Sequence, residues 1–321
     1  MESLDAYLVT TVAGKGVVAE SHPASLGVSL PYASTQELIK AADVVVAAGT
    51  ELSETDIYTT TRLALHGRLV RIDVDEQKLR DHYAAPLTLQ GDAAVALQLL
   101  AQGIAADKAI PGRESEAVRR GWRTAAGDGA AHRARIESQL QATAAPALAA
   151  LRAIRESLPA DGVVFSDMTQ IAYLGNYAFP AERPGVWFHP SGYGALGFAL
   201  PAAIGARIAQ PQRPIVALAG DFGTQFTLQE LMTAVELDLT LPLIVWNNGA
   251  LGQIRDDMRA AGIAPIGVVA CNPDFVALAH ACGAAGARPR DTAALATALR
   301  EALARPGPTL LELNAADFRA T

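Results

Sequence analysis

Two short apolar runs constrain the fold of this chain most strongly, residues 215–219 (IVALA) and residues 241–246 (LPLIVW). Neither run alternates polar with apolar residues, so neither fits a strand with one face in water. Both have the length of strands that are buried on two faces, as in a parallel sheet covered by helices. The amphipathic stretch between them, residues 227–236, predicts the helix that joins two parallel strands.

The same alternation recurs along the chain and predicts an α/β fold with two Rossmann-like, doubly wound domains and parallel sheets. The predicted strands are residues 7–12, 44–48, 69–74, 163–166, 186–188, 215–219, 241–246 and 309–313. The predicted helices are residues 34–42, 76–82, 113–141, 146–157, 196–209, 227–236, 274–282 and 292–304.

A change of composition separates the two domains. Residues 101–145 are rich in Ala, Arg and Gln and carry no strand signal. The helix predicted there is broken near residues 127–129, and Pro146 then opens the next helix at a position where a missing N–H costs little. We expect a central domain at 1–110, a helical linker at 111–146 and a second domain at 147–321.

Charge and cysteine content exclude several classes of protein. The net charge of −7 disfavours non-specific binding to nucleic acid. The sequence contains no run of about 18 apolar residues, so no membrane span is predicted. The first residues show no secretory signal. The two cysteines, Cys271 and Cys282, lack the spacing of a metal site or a disulfide framework. We expect semi-buried, reduced thiols in a cytoplasmic protein.

Polar residues follow the two apolar runs at the point where each strand should end. Gly220 and Asp221 follow the first run, and Gly223 is expected to let the backbone turn tightly there. Asn247 and Asn248 follow the second run. The carboxyl ends of successive parallel strands are neighbours, so Asp221 and Asn248 should converge. Carboxylate and amide oxygens suit Mg²⁺ better than Zn²⁺, and a nearby helix N-terminus attracts phosphate.

This pattern resembles the Gly-Asp-Gly … Asn-Asn signature of thiamine diphosphate enzymes. The resemblance implies that Asp221, Asn248 and the main-chain oxygen of Ala250 bind Mg²⁺, which holds the cofactor's diphosphate. Gly220 and Gly223 belong to the same motif, and Thr224 is expected to offer its hydroxyl to phosphate. The chain departs from the motif at one position, because Phe222 stands where the family often has a second glycine.

Two further segments resemble the same family. Residues 191–206 (SGYGALGFALPAAIGA) look like the stretch that lines the middle of the cofactor. There the Gly194 carbonyl would accept a hydrogen bond from the cofactor's amino group, and Leu196 would support the bent shape of the cofactor. In residues 166–173 (SDMTQIAY), Thr169 and Gln170 would approach the diphosphate. An ordinary helix cap by Ser166 or Asp167 is the alternative there. For His189 both a structural and a functional role stay open.

The first third resembles the central domain of 2-oxo acid decarboxylases and acetolactate synthases, in residues 10–27, 42–56 and 68–79. Some relatives bind FAD in this domain, but no residue here gives a reason to expect FAD. The resemblance leaves out the family's pyrimidine-binding domain, which carries the catalytic glutamate, so no catalytic residue is assignable. We expect a truncated chain or one half of a split enzyme, with slow or no catalysis without the missing glutamate.

Residues 247–268 bear on the substrate and also resemble decarboxylases of 5-guanidino-2-oxopentanoate. Ile254 stands near the position where pyruvate decarboxylases have an acid. Asp256 and Asp257 would suit a guanidinium group, or they form a solvated helix face. The expected reaction is decarboxylation of a 2-oxo acid to an aldehyde.

Two alternatives remain open, an acetolactate synthase-like carboligase and a non-catalytic cofactor-binding subunit. A plain nucleotide-binding domain is disfavoured, since no glycine fingerprint follows a strand. Because family cofactors lie between subunits, we expect a homo-oligomer or a partner chain that supplies the pyrimidine-binding domain.

Overall fold

The computed structural model describes residues 1–4, 6–57, 62–108 and 129–318. The chain forms two compact units, Met1–Thr11 with Glu20–Ile136, and Val12–Ala19 with Glu137–Thr321. All neighbouring strands within the described sheets run parallel. The predicted α/β class with parallel sheets is thereby confirmed.

The first unit contains a two-stranded and a three-stranded sheet. Its elements are β1 (Leu8–Val9), β2 (Ser25–Gly27), α1 (Ala33–Ala41), β3 (Val44–Ala48), α2 (Glu54–Ile57), β4 (Arg68–Asp73), β5 (Leu87–Gln90) and α3 (Ala93–Lys108). The strand orders are β1-β2 and β3-β4-β5. The core contains Ile57, Leu69 and Tyr83, and beside it the buried Arg71 bonds Asp81 and the Thr50 carbonyl.

A long helix, α4 (Gly129–Ser157), leads into the second unit. Ala144 leaves helical geometry (φ −139°, ψ 26°) two residues before Pro146. Proline lacks the N–H for the helical bond to the preceding turn and disfavours helical geometry just before it, so a kink at this place is expected.

The second unit is built on one six-stranded sheet of order β10-β11-β9-β8-β6-β7. Its strands are β6 (Val163–Ser166), β7 (Trp187–Phe188), β8 (Ile215–Gly220), β9 (Leu241–Asn247), β10 (Ala285–Ala287) and β11 (Pro308–Asn314). Its helices are α5 (Gln170–Ala178), α6 (Ala199–Ala209), α7 (Asp221–Phe226), α8 (Glu230–Glu236), α9 (Gly252–Ala260), α10 (Phe275–Ala281) and α11 (Thr292–Ala304).

Alternate residues of β8 contribute to two separate cores. Val216 and Leu218 pack in a cluster with residues of α4, α5 and α11, whereas Ile215, Ala217 and Ala219 pack with residues of α6, α8 and α10. Both faces of the strand are therefore covered by helices. This explains why the run is apolar throughout, and it places the ends of β8 and β9 at an edge of a rigid, central part of the sheet.

Several elements differ from the predictions. The helix predicted at 227–236 is shorter, because only α8 (Glu230–Glu236) forms there. A separate short helix, α7, precedes it and starts directly at Asp221. The helix predicted at 196–209 begins only at Ala199, so Leu196 lies in the preceding turn. Most of the helix predicted at 113–141 falls outside the described residues, but its last part lies in α4.

Strands β2, β5 and β10 and helices α2, α3 and α7 were not predicted. β2 (Ser-Leu-Gly) and β10 (Ala-Gly-Ala) are only three residues long and contain no β-branched or aromatic residue, on which strand predictions rest. Cys282 is half-buried as expected, but Cys271 is exposed, so the prediction for Cys271 was wrong. No helix within the described ranges combines the length and apolar character that spanning a membrane requires.

Candidate cofactor and metal site

The site lies where two central strands end. β8 pairs with β9 in parallel, and Gly220 lies opposite Trp246. Asp221 is the next residue after Gly220, and Asn248 comes two residues after Trp246. The register therefore brings the carboxylate and the amide to the same edge of the sheet, as the sequence predicts.

The backbone N–H of Ala250 joins these two side chains. It donates to the carboxylate of Asp221 and lies 3.2 Å from Oδ1 of Asn248. The loop that contains Ala250 is held by an antiparallel bridge between Ala250 and Val269. The oxygens of Asp221 and Asn248 thus both lie within hydrogen-bonding reach of one N–H group.

Asp221 is a buried carboxylate, 2% exposed. Burial raises its pKa, against the lowering effect of bonds from the Asn272 side chain and from backbone N–H groups that include Phe222 and Ala250. The Asn272 bond measures 2.6 Å from Nδ2 to Oδ2. All these donors are uncharged, so the charge of the carboxylate is solvated by dipoles and a cation bound there would compensate it.

Asn248 has a fixed orientation because its two polar atoms have different partners. Its Nδ2 donates to Oε1 of Gln170 at 2.9 Å, which leaves Oδ1 on the side of the Ala250 amide. Gly252 makes room for this pair, since a Cβ atom there would lie 2.4 Å from both Asn248 Nδ2 and Gln170 Oε1. The amide oxygen of Asn248 is thereby directed toward the region of Asp221.

The structure corrects the expected role of Gly223. It lies inside α7 and has no left-handed backbone, so it does not form the tight turn that the sequence suggested. A Cβ atom at Gly223 would instead lie 2.8 Å from Oδ2 of Asp167. Gly223 is needed to make room for this carboxylate.

Thr169, Gly220 and Thr224 lie together beside this edge. Thr169 precedes α5 as its N-cap without a side-chain capping bond, and neither Ser166 nor Asp167 takes the cap position. A Cβ atom on Gly220 would meet Thr169 Oγ1 at 2.8 Å. The hydroxyl of Thr224 donates to the Gly220 carbonyl at 2.8 Å, so its proton is already used inside the protein.

Sequence reasoning missed Asp167 as a structural residue of the site. This carboxylate is 1% exposed and accepts from the backbone N–H groups of Met168 (2.7 Å) and Gly197 (2.8 Å), with further bonds from the first residues of α6. Burial raises its pKa, and the backbone bonds lower it. Its position directly after strand β6, like that of Asp221 after β8, is a signal that could have found it.

The segment before α6 has the backbone geometry of a glycine-dependent turn. Gly194 and Gly197 have φ values of +69° and +86°, which only glycine adopts readily. Between them Leu196 is half-buried, and the Gly197 carbonyl accepts from Thr227. The two glycines and the Thr227 bond thus set the course of the loop that contains the Gly194 carbonyl and the Leu196 side chain.

The structure separates the three candidate substrate residues on α9. Ile254 is 50% exposed. Asp256 accepts from Gln170 Nε2 at 2.9 Å and pairs with the neighbouring Arg255, from Nε at 2.8 Å and from Nη2 at 3.2 Å. The Arg255 bond is the largest cause that lowers the pKa of Asp256. Asp257 bonds Gln253 on another side of the helix.

His189 is a neutral, half-buried side chain. Burial lowers its pKa to about 4. Its Nδ1 lies 2.8 Å from the hydroxyl of Ser166, which also lies 3.0 Å from the Phe188 carbonyl, and its ring packs edge-on against Tyr173. These contacts tie His189 to the end of β6.

An open depression of about 430 Å³ borders the site. Its lining residues come from α7 and from the loop after α9, and they are Phe222, Gln225, Phe226, Gly267, Val269 and Ala270. Gln225 also bonds Asn272, the partner of Asp221. Phe222 therefore stands at the wall of an accessible cavity next to the buried carboxylate.

The donor set of the site suits a hard cation. Within the described ranges no group of three or more His, Cys, Asp and Glu side chains could hold a metal. The set at the end of β8 and β9 consists of one carboxylate, one amide oxygen and backbone, which are oxygen ligands of the type that Mg²⁺ takes when phosphate and water complete its shell.

Fold and site together define an α/β protein with a polar site at the carboxyl ends of parallel strands. The model of the thiamine pyrophosphate enzyme central domain matches residues 1–100, and that of the C-terminal TPP binding domain matches residues 167–313. Thiamine pyrophosphate is another name for thiamine diphosphate. Through these two domains the chain belongs to the thiamine pyrophosphate enzymes.

Curated relatives cover nearly the whole chain. A probable 2-ketoarginine decarboxylase, AruI of Pseudomonas aeruginosa, is 43% identical over 99% of this chain and 55% of its own length. The acetolactate synthase isozyme 3 large subunit of Escherichia coli is 26% identical over 94% of this chain and 53% of its own length. The chain thus spans about half the length of these relatives.

Proposed function

We propose that this chain acts in a thiamine diphosphate- and Mg²⁺-dependent enzyme that decarboxylates a 2-oxo acid to an aldehyde, with 5-guanidino-2-oxopentanoate as the substrate. The observation that carries the proposal is the convergence of Asp221 and Asn248 on the Ala250 amide at the ends of β8 and β9. The relative named a probable 2-ketoarginine decarboxylase supports this choice of substrate, because 2-ketoarginine and 5-guanidino-2-oxopentanoate are the same compound.

In this proposal Mg²⁺ is held by Asp221, by the side-chain oxygen of Asn248 and by the main-chain oxygen of Ala250. The buried Asp221 carboxylate has only uncharged donors around it, so a divalent cation would supply the missing counter-charge. Gln170 keeps the nitrogen of Asn248 turned away, which leaves the oxygen for the metal.

The diphosphate of the cofactor would lie beside Gly220, Gly223, Thr169 and Gln170. Thr224 would contribute through its backbone, because its hydroxyl proton is donated to Gly220. Gly194 and Leu196 would orient the rest of the cofactor, with the Gly194 carbonyl as acceptor and the Leu196 side chain as support. When bound, thiamine diphosphate supplies the electron sink that makes loss of carbon dioxide from a 2-oxo acid possible.

For the substrate, the pair of Arg255 and Asp256 is informative. Two nitrogens of the Arg255 guanidinium contact the two oxygens of Asp256, which is the fork that a guanidinium forms with a carboxylate. A substrate guanidinium would take the same fork in place of Arg255. Ile254, which is exposed about one helical turn beyond Ala250, would contact the aliphatic part of the substrate.

A second candidate function is an acetolactate synthase-like carboligase, which the relatives of that name favour. Product analysis distinguishes the two, because a decarboxylase releases an aldehyde and a carboligase yields an acetohydroxy acid. A cofactor-binding subunit without catalysis is the third candidate, and it would bind thiamine diphosphate without consuming any 2-oxo acid.

We also propose that the site is completed by a second chain or a second copy. Phe226, Ile266 and Val269 are large apolar side chains, 61%, 80% and 66% exposed, close to the proposed metal site. Apolar surface of this kind is typical of an interface. Light scattering tests whether a second chain or copy is needed. A monodisperse monomer that binds one thiamine diphosphate per chain would contradict this proposal.

The deciding experiment is calorimetric titration of the purified chain with thiamine diphosphate, with and without Mg²⁺, beside Asp221→Ala. Metal-dependent binding that the variant loses is the expected result. Exposed Asp317 gives the matched control Asp317→Ala, which should bind like the wild type. Equal binding by wild type and Asp221→Ala would contradict the metal site.

A further inference from the structure

A chain of hydrogen bonds connects the surface of the second unit to Asp221. Arg288 Nε donates to Glu312 Oε2 at 2.8 Å, and Asn247 Nδ2 donates to Glu312 Oε1 at 2.8 Å. Asn272 Nδ2 then donates to Asn247 Oδ1 at 2.9 Å and to Asp221 Oδ2 at 2.6 Å. Every step of this path is a direct contact between side chains.

Glu312 lies on β11 beside β9, and its side chain is only 6% exposed. A buried ionised carboxylate needs a charge partner and satisfied oxygens. Arg288 supplies the charge, and Asn247 satisfies the second oxygen. The ion pair therefore holds a carboxylate, which can only accept hydrogen bonds, next to the first of the two asparagines that follow β9.

The carboxylate of Glu312 orients the amide of Asn247, together with the Gly249 N–H, which donates to Asn247 Oδ1 at 3.1 Å. An ionised carboxylate only accepts, so Asn247 must turn its NH₂ group to Glu312 and its oxygen to Asn272. Asn272 must then present NH₂, which is what Asp221 also requires. Its own oxygen accepts from Gln225 at 3.1 Å. All four side chains agree on one orientation of the amides.

We propose that Glu312 is a positioning residue for the metal site, which orients Asn247 and Asn272 so that Asn272 holds one oxygen of Asp221 and leaves the other for the cation. The proposal rests on the proposed function of Asp221 as a metal ligand. Neither Glu312 nor Asn272 touches the cation. Substitution of a residue that orients a metal ligand without touching the metal is expected to weaken metal binding by roughly 10–100-fold.

The first test uses Glu312→Gln, with Mn²⁺ in place of Mg²⁺ so that electron paramagnetic resonance measures free metal in the presence of thiamine diphosphate. Arg288 will select the carbonyl of the introduced amide, so the NH₂ group of that amide faces Asn247 and opposes its orientation. We expect weaker Mn²⁺ binding by roughly 10–100-fold. Exposed Glu301 on α11 provides the matched control, Glu301→Gln, which should bind Mn²⁺ like the wild type.

A rescue variant distinguishes orientation from packing. In Glu312→Gln with Arg288→Met, the introduced amide is free to turn its carbonyl toward Asn247, and no buried charge is left without a partner. We expect the double variant to recover most of the Mn²⁺ affinity. Affinity in Glu312→Gln within twofold of the wild type, or a double variant that binds no better than Glu312→Gln, would overturn the proposal.

A cycle with Asn272→Ala tests the path itself. If Glu312 acts through Asn272, adding Glu312→Gln to Asn272→Ala will weaken Mn²⁺ binding no further. Additive losses would show that Glu312 acts by another route and would overturn the proposal. The Mn²⁺ affinity of Asn272→Ala alone also shows the effect of breaking the path while Glu312 and Arg288 remain unchanged.

A readout without metal separates this proposal from the proposed function. In a chain labelled with ¹⁵N-asparagine, the side-chain NH₂ signals of Asn247 and Asn272 should shift in Glu312→Gln and return in the rescue variant. Unchanged signals would reject the orienting role. If the wild-type chain binds no Mn²⁺ with thiamine diphosphate, the proposed function fails, and these signals still decide whether Glu312 orients Asn272.

Discussion

Asp256 and Asp257 are adjacent in sequence, but α9 directs their carboxylates to different neighbours. Asp256 bonds Gln170, which in turn bonds Asn248, whereas Asp257 bonds Gln253 within its own helix. Successive helical residues point about 100° apart, so the two acids cannot both face Asn248 and Ala250. Of the pair that the sequence singled out, only Asp256 is connected to the candidate site.

This difference predicts unequal effects of two single substitutions. In the complete enzyme, with the domain that carries the catalytic glutamate present, Asp256→Asn should raise the KM for 5-guanidino-2-oxopentanoate about 10-fold or more, because a charge-assisted bond to the guanidinium is lost. Asp257→Asn is the matched control and should stay within about twofold. An aliphatic 2-oxo acid without a guanidinium should show no such increase with Asp256→Asn. An unchanged KM for the guanidino substrate would reject the role of Asp256.

Asp221→Asn should stabilise the metal-free chain at pH 7. Burial raises the pKa of Asp221 in the folded state, so ionisation costs stability as pH rises from the unfolded value through the raised folded value, and the full cost is present above it. We expect the free energy of unfolding, measured by urea denaturation, to be higher for Asp221→Asn than for the wild type.

The same variant should lose the response to ligand. Mg²⁺ with thiamine diphosphate should raise the Tm of the wild type and leave that of Asp221→Asn unchanged. Asp317→Asn serves as the control, with wild-type stability and a wild-type ligand response. A metal-free Asp221→Asn chain that melts below the wild type would count against this prediction.

Gly252→Ala should damage the site more than the fold. The added Cβ would meet Asn248 Nδ2 and Gln170 Oε1 at 2.4 Å, and one of the two amides must move. We expect metal-dependent affinity for thiamine diphosphate to fall roughly 10-fold or more, measured by calorimetry. Gly205→Ala is the control, because nothing lies within 4 Å of its Cβ in α6 and the change should stabilise that helix by about 0.5–1 kcal/mol. Equal affinities in both variants would contradict the crowding argument.

Acid should destabilise the wild type more than a His189→Gln variant. The pKa of His189 is lowered to about 4 from 6.5, so the unfolded chain takes up a proton that the folded chain refuses. Stability is therefore fully present above pH 6.5 and is lost as pH falls through 4. Between pH 7 and pH 4.5, the free energy of unfolding of the wild type should fall by about 1–3 kcal/mol more than that of His189→Gln. This range allows for the partial exposure of the ring. Parallel losses in both proteins would refute this prediction.

Local patterns predicted the parts of the fold that local forces determine. β3, β6 and α11 have the bounds that the sequence indicated, because both strands are short apolar runs and Asp291 caps the helix through the Ala294 N–H. The convergence of Asp221 and Asn248 followed from the rule that parallel strands end at one edge.

The remaining features depend on neighbours that are distant in the sequence. Gly223 suggested a turn, but it is needed because Asp167, from another strand end, occupies the space of its missing side chain. The roles of Asn272 and Glu312 arise only when β9, β11 and the loop before α10 come together. No periodicity or motif in their own segments encodes these contacts.

The central place of β8 and β9 in the six-stranded sheet affects the order in which the molecule opens. Each of these strands has a parallel neighbour on both sides, and β8 has a core on both faces. Amide protons there should exchange with solvent only through the largest openings, whereas those of the edge strands β7 and β10 exchange through smaller ones. The residues proposed to hold the metal are thus attached to the slowest-exchanging part of their unit, and they remain assembled while its periphery frays.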